Sequence, residues 1–455
     1  MTNHEMILFG CWNEGLCNTT THAVSYNGMS AVMKTLISNT TNYPPDFIVV
    51  LGDNYYPKKE KINGEKKKIF NKNELKSGFD CLKELKTNPI DNKPGINLLM
   101  GNHDLQEENE IVTINNDIQD DCIITQTEME MINDDEPEID IKSYGRLLGE
   151  HTICLFICST LYTEKADEIV KCMGIYRQDY SEERNKAKQI DDDFNEQIQL
   201  DKDDEEKVKK IKEKRKTNLE KIVKGIQTKE ETKIKEHFDD LLKTSKEQIK
   251  NLIICGHEPI VSRRYNPNKE EKKRDIKTTL SESGIALLDK LYRMVDDSVN
   301  KYYICADVHQ YQEGIVEIME SDVHHSIKQF VVGVGGTECD ETCISDQILS
   351  DKDIYSGLGT QEYINDKISY KMEDCKREFG YLSCKDNNGK DNNGELICEF
   401  VRVAGCDDFP LKLTKTKKFS VLVQRGGGKK KRKTKKNKKR KTKKKRKTKK
   451  SKKRK

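Results

Sequence analysis

Seven short apolar runs, each broken off by glycine or a polar residue, punctuate the chain: MILFGCW, FIVVLGDN, INLLMGNHD, HTICLFICST, NLIICGHEP, YYICADVH and FVVGVGG. Their length and β-branched content predict strands buried on both faces rather than helices. Between them, segments such as Asn73 to Lys86 and Ser283 to Val295 carry a helical pattern. Strands alternating with helices imply an α/β layered domain. A chain of 455 residues has room for one large domain with insertions or for two smaller ones.

Two stretches break the alternation. Residues 105–142 are acidic and contain NDDEPEID, which predicts a surface insertion or disordered loop. Residues 181–250 are dense in charge, yet Val208, Ile211, Leu219, Ile222 and Ile226 recur at threes and fours. That spacing predicts a long solvated helix with a narrow apolar stripe, a hairpin or arm spanning about 181–235 on the domain surface.

Charge is unevenly placed. Of 82 Lys and Arg, 22 lie in residues 429–455, which leaves 60 against 78 Asp and Glu elsewhere. An acidic body thus ends in a cationic tail, 426–455, too charged to bury a core and expected to be disordered. Lys429, Lys430, Lys431 and Arg432 open that run, and their natural partners are nucleic acid or an anionic surface. Runs of this kind also act as nuclear-import signals. No interleaved aromatics accompany it, so sequence-specific readout is not expected. The first residues, MTNHEMILFGCWNEG, lack a basic segment followed by a long apolar one, and no later run is long enough to span a bilayer. A soluble protein made inside a cell is the expectation. Of 15 cysteines, Cys339, Cys343, Cys375, Cys384, Cys398 and Cys406 cluster late in the chain, within 337–415. Disulfides or a zinc site are both open for them, although no CxxC pair is present.

The runs end in polar residues where open α/β sheets build their sites. GDNYY supplies Asp53, Tyr55 and Tyr56; GNHD supplies Asn102, His103 and Asp104; GHEP supplies His257; ADVHQ supplies Asp307 and His309. If the chain stays extended through Val308, Asp307 and His309 point the same way. Carboxylate, amide oxygen, imidazole and phenol are what hard and borderline cations take. One carboxylate can bridge two cations, and Asp53, after the tight turn expected at Gly52, is the candidate bridge.

In order, GDNYY, GNHD, GHEPI and ADVHQYQ resemble the blocks of the calcineurin-like metallophosphoesterases. The tyrosine three places after the motif aspartate is similar to the purple (tartrate-resistant) acid phosphatase branch. The resemblance covers residues 6–336, insertions aside, and extends into FGYLSC and LICEFVRV. It implies a four-layer αββα sandwich of two mixed β-sheets flanked by helices, residues 1–415. It also implies two metal ions, Fe with Fe, Zn or Mn, and hydrolysis of a phosphorylated small molecule or phosphoprotein by metal-bound hydroxide. By this resemblance Asp53 bridges, Tyr56 and His309 hold the first metal, Asn102 and His257 hold the second, and His103 contacts phosphate and protonates the leaving group.

Two positions depart from the pattern. Cys11, in FGCWNEG, stands where an aspartate ligand is expected. It binds as a thiolate, or Asn13 or Glu14 reaches in, or the first metal is weakly held. Asp307 stands where the last block has histidine. Its oxygen is a competent ligand that favours Mn or Mg over Zn. The alternative reading is a degenerate phosphoesterase-fold protein whose basic tail binds nucleic acid or targets the chain. The Lys-, Asn- and Ile-rich composition resembles proteins of large DNA viruses.

Overall fold

The computed structural model describes residues 4–405 except 18, 20–26, 63–64, 90, 92, 106–110, 114–121, 134–138, 246–247, 266–273, 321–322, 338–360 and 388–394. The basic tail, with Lys429, Lys430, Lys431 and Arg432, lies outside the described residues, as do Cys339, Cys343 and Cys406.

The first half runs β1 (His4–Phe9), α1 (Gly28–Asn42), β2 (Phe47–Val50), β3 (Lys58–Ile62), β4 (Glu65–Phe70), α2 (Lys72–Lys83), β5 (Ile96–Leu98), α3 (Asn102–Leu105), β6 (Ile111–Thr113), α4 (Ile123–Asn133), β7 (Ile139–Asp140), β8 (Gly145–Leu148) and β9 (Thr152–Phe156). Helices α5 (Val170–Tyr176), α6 (Ser181–Leu200) and α7 (Glu205–Thr244) follow. Then come β10 (Asn251–Cys255), β11 (Val261–Tyr265), β12 (Arg274–Thr278), α8 (Glu282–Tyr292), β13 (Asn300–Cys305), β14 (Tyr311–Glu320), β15 (Val323–Val332), β16 (Gln361–Tyr363), β17 (Ile368–Lys376), β18 (Glu378–Asn387) and β19 (Glu395–Gly405).

Two mixed sheets form the body. The first has the order β19-β18-β1-β2-β5-β7, and the second β16-β17-β14-β15-β13-β10-β9-β8. In the first, β1, β2, β5 and β7 are parallel; in the second, β9, β10, β13 and β15 are. Alternation along each strand divides its side chains between two cores. Met6 and Leu8 join Phe47, Val49, Cys154, Phe156, Ile253 and Cys255 between the sheets, where the Phe47 and Phe156 rings meet edge-on at 6.4 Å. Ile7 and Phe9 belong to the outer core with Met29, Val32 and Leu36 of α1. The second sheet's Leu252, Ile254 and Tyr303 are in that outer core with residues of α7 and α8. Each such aliphatic side chain, buried, contributes about 1.5–3 kcal/mol. Helices on both outer faces of two stacked sheets make the four-layer arrangement implied by the motifs. No helix among the described residues is long and apolar enough to cross a membrane.

The charged stretch after residue 180 is a helical hairpin, α6 and α7, joined by Arg215 Nε to Asp191 at 2.6 Å and Lys229 Nζ to Glu183 at 2.6 Å. Its buried stripe is Leu219, Val223, Ile226, Ile234, Phe238 and Leu241, a run displaced from Val208 and Ile211, which are only half-buried. At its base Glu230 replaces an apolar residue in the stripe. Arg177 Nε lies 3.8 Å from Glu230 Oε1, and the guanidinium sits over the Tyr144 and Tyr176 rings, 4.7 and 4.9 Å from their centroids. The acidic stretch 105–142 differs from the loop expected there, because it contains α4, with Ile124, Met129, Met131 and Ile132 buried. A short apolar periodicity between acidic flanks is masked when charge is averaged over the whole stretch. Disulfides join Cys17 to Cys81, Cys122 to Cys172 and Cys384 to Cys398. Of the late cysteine cluster, Cys384 and Cys398 face each other across β18 and β19, and Cys375 is also disulfide-bonded.

A buried polar chain ties α8 to the second sheet. Lys301 Nζ donates to His325 Nδ1 at 3.1 Å, and His325 Nε2 donates to Asp289 Oδ1 at 2.9 Å. Asp289 also accepts from Arg293 Nε at 2.9 Å, and Asp297 lies 4.0 Å from Lys301. Burial depresses the His325 pKa below its ordinary 6.5, with Lys301 and Arg293 adding to the effect and Asp289 opposing it. The unfolded chain therefore binds a proton that the folded one resists. This contribution is fully present above about pH 6.5, the unfolded value, and is lost as pH falls from there through the lower folded-state value. Thermal melts from pH 5 to 7.5 are expected to show stability rising with pH, with a shallower slope in His325→Gln. An unchanged slope in the variant removes His325 as the cause.

Candidate metal centre

The parallel strands of both sheets end at one rim. Cys11 follows β1, Asp53 follows β2, Asn102 and His103 follow β5, His257 follows β10, and Asp307 and His309 follow β13. Three residues at this rim, Cys11, Asp53 and Asp307, have φ of 52°, 54° and 57°, and they are the only non-glycine residues with positive φ among those described. Left-handed backbone costs an L-residue roughly 1–2 kcal/mol, and outliers of this kind cluster where function fixes a side chain. Asp307 therefore breaks the strand. The extended alternation expected to aim Asp307 and His309 together is replaced by a turn at Asp307, because β13 ends at Cys305.

Two glycines make the approach of the sheets work. Gly52 has φ 89°, and a Cβ there would lie 2.7 Å from Gly101 N and 2.8 Å from His257 Nδ1. A Cβ on Gly101 would collide with Asp53 Oδ1. The glycines of GDNYY and GNHD thus let Asp53 sit against both neighbouring loops.

Asp53 is the hub. Its Oδ2 accepts from Tyr56 Oη at 2.5 Å and lies 3.9 Å from Cys11 Sγ. Its Oδ1 accepts from the His103 backbone N–H at 3.0 Å and faces His257 Nε2 at 3.2 Å. Tyr56 Oη is also 3.0 Å from His309 Nε2. His257 Nδ1 is 2.7 Å from the Leu51 carbonyl, so it carries a proton and donates it. That leaves Nε2 as the atom facing Asp53 Oδ1 and, at 3.2 Å, Asn102 Oδ1. Three electron-pair donors converging in a buried place need a cation or a proton between them. Burial opposes charge on both partners, yet Asp53 raises the His257 pKa well above its usual value, while His257 and His103 hold the Asp53 carboxyl below its usual range. Burial together with Asp53 pushes the Tyr56 phenol and the Cys11 thiol well up. Cys11, Asp53 and His257 each offer a ligand atom, all within 4.8 Å of one another.

Other residues frame the hub. The Tyr56 ring lies 4.8 Å from His103 and 5.4 Å from His309, and His103 Nδ1 is buried without a hydrogen-bond partner. Asp307 acts on both His257 and Cys11 electrostatically, and its backbone N–H faces the Cys11 sulfur. Tyr55 turns into the core, where its Oη accepts from Asn71 N at 2.9 Å. The structure thus brings together Cys11, Asp53, Tyr56, Asn102, His103, His257 and His309, with Asp307 beside them.

Sequence reading put Asp104 among the strand-end residues without a role, and passed over Glu128 and Glu258. Asp104 accepts from Gly101 N, Asn54 N and Asn54 Nδ2 at 2.8, 2.7 and 2.9 Å, fixing both motif loops. Burial and Asp53 lift its pKa to about 7. Glu128 of α4 is fully buried beside Asp104, and burial together with that neighbour pushes its carboxyl well above the usual range. Glu258 accepts from Ser159 Oγ at 2.5 Å. The adjacency of Asp104 to Asn102 and His103 in GNHD was the available signal. For Glu128, nothing short of the α4 periodicity pointed inward.

No protein-family model matches the chain, and no curated protein sequence matches it. Among solved structures, a purple acid phosphatase from yellow lupin (Lupinus luteus) seeds is similar at 13% identity and a TM-score of 0.42, over 89% of this chain and 52% of that one. The chain spans about half the length of that phosphatase.

Proposed function

We propose that this chain is a metal-dependent phosphoesterase that hydrolyses phosphomonoesters at a two-cation centre. The observation that carries this reading is the division of Asp53 between two sets of donors. Its Oδ2 faces Tyr56, with His309 behind it, and its Oδ1 faces His257, with Asn102 beside it. A carboxylate so placed is suited to bridging, with Tyr56 and His309 on one cation and Asn102, His257 and Asp307 on the other. The donor set fits Fe, Zn or Mn, since it combines oxygen with imidazole. When bound, the metal pair supplies positive charge against phosphoryl oxygens and lowers the pKa of a water.

The chain's own residues do the rest. The Leu51 carbonyl fixes the His257 tautomer so that Nε2 faces the site. Gly52 and Gly101 bring the loops close enough for the donors of both sheets to converge. His103, whose Nδ1 has no hydrogen-bond partner, would hand a proton to the leaving oxygen, and burial, which lowers its pKa, confines that role to acid pH. The substrate is a phosphorylated small molecule or phosphoprotein.

The test is release of phosphate from an aryl phosphate by the purified chain loaded with Fe, Mn or Zn, after stripping with a chelator. Turnover that returns with metal supports the proposal. A folded, metal-loaded chain that releases no phosphate with any of the three overturns it, in favour of a binding protein built on the same fold.

A further inference from the structure

Cys11 stands at the end of the central strand of the first sheet, fully buried, in the same left-handed conformation as Asp53 and Asp307. Asn13, which might have replaced it, is engaged elsewhere. Asn13 Nδ2 donates to the Leu75 carbonyl at 3.3 Å, and its amide lies against Gly78 of α2. The Glu14 carbonyl is held by Asn27 Nδ2 at 3.0 Å, on the side of the loop that leads to α1. The loop beyond is clamped to α2 by the Cys17–Cys81 disulfide and by Ser77 Oγ, 2.8 Å from Cys17 N. The Cys11 thiol lies 3.9 Å from Asp53 Oδ2 and is the donor that this loop brings within ligand distance of Asp53 and His257 among the described residues. Holding a non-glycine residue in left-handed backbone is unfavourable, so the conformation itself marks a side chain that is aimed.

We propose that Cys11 is a thiolate ligand of the cation shared by Asp53, Tyr56 and His309, and that its sulfur makes this half of the centre select thiophilic divalent ions such as Zn(II) or Co(II). The inference rests on the two-cation phosphoesterase reading and refines it. Sulfur, phenol, imidazole and carboxylate give four protein donors, the number a Zn(II)-type ion takes. The other half, with Asp307, Asn102 and His257, is richer in oxygen and takes a harder ion. The two halves differ because each carries one of the two departures from the motif pattern, and the departures differ in softness. The remaining free cysteines among the described residues, Cys154, Cys158, Cys255 and Cys305, are buried in the apolar cores and offer no second sulfur at the rim.

The experiment loads the chelator-stripped full chain with Co(II) and records its absorption. A near-ultraviolet thiolate-to-cobalt band is expected in the wild type. Cys11→Ser is expected to lose that band and to bind Co(II) about 100-fold more weakly. Cys11→Asp keeps the conformation, because aspartate tolerates left-handed backbone. It is expected to bind Co(II) without the band and to shift competition from Zn(II) toward Mn(II). Thermal melts confirm that each variant folds. A wild type that binds Co(II) with no sulfur band, or a Cys11→Ser protein that retains the band, overturns the inference. The two proposals fail differently. A band without phosphate release defeats the phosphoesterase reading alone, and phosphate release without a band defeats only the assignment of Cys11.

Discussion

Asp53→Asn is expected to lower kcat/KM for an aryl phosphate by about 10³-fold or more, beyond the cost of losing one donor to developing charge. The substitution is nearly isosteric and suits the site's backbone, since asparagine tolerates the φ of 54° found there. Its carbonyl oxygen can still accept from His103 N. What it removes is the negative charge that faces Tyr56 and His257 on opposite sides. Metal content should fall with activity, because the bridging oxygen pair has become one oxygen and one NH₂ group. A variant that keeps both its metal complement and a rate within tenfold of wild type shows that Asp53 is not the shared ligand. Because His257 and His103 hold the buried Asp53 carboxyl below its usual range, its charge stabilises the fold at neutral pH, so the apo variant should melt below the apo wild type.

Arg177→Met is expected to destabilise the chain by about 3–5 kcal/mol, the usual cost of stranding one member of a buried ion pair. Arg177 and Glu230 have side-chain exposures of 8% and 1%. The guanidinium also lies over two tyrosine rings, and Tyr144 Oη lies 3.4 Å from Glu230. Without Arg177 the buried Glu230 carboxylate in the α7 stripe loses the cation that faces it at 3.8 Å. Adding Glu230→Leu to the same chain should restore most of the loss, since Leu continues the stripe of Ile226 and Ile234. Denaturant midpoints of the two single variants and the double measure the coupling directly. If the double variant is as unstable as Arg177→Met, the stacking on Tyr144 and Tyr176 carries the energy and the ion pair does not.

The strand ends were legible because a strand buried on both faces leaves a short, almost purely apolar signature. β2, β9 and β10 are buried at every residue. The polar residue that follows each run then lands at the rim whatever the intervening insertion, and this is why Asp53, Asn102, His257 and His309 could be expected at strand ends from their order in the chain. Three things escaped. The small sheet of β3, β4 and β6 carries KKEKI and EKKKIF, whose lysines hide a strand from any hydrophobic count. The partners of Cys17 and Cys122 lie 64 and 50 residues away, and spacing does not encode such pairings. The turn at Asp307 was invisible because a left-handed aspartate has no neighbouring glycine or proline to announce it.

The rim is supplied by two sheets that share no backbone hydrogen-bond ladder. Cys11, Asp53, Tyr56 and Asn102 belong to loops of the first, His257, Asp307 and His309 to loops of the second. Between the sheets themselves there are side-chain packing and scattered hydrogen bonds, such as Gly10 N to the Val332 carbonyl at 3.1 Å and Thr152 Oγ1 to Asp386 Oδ2 at 3.1 Å. A cation gripped from both sides acts as a bolt through two plates. Its presence would register as a change in mechanical compliance, with amide exchange slowing at the ends of β1, β2, β10 and β13 together, while strands far from the bolt keep their own pace.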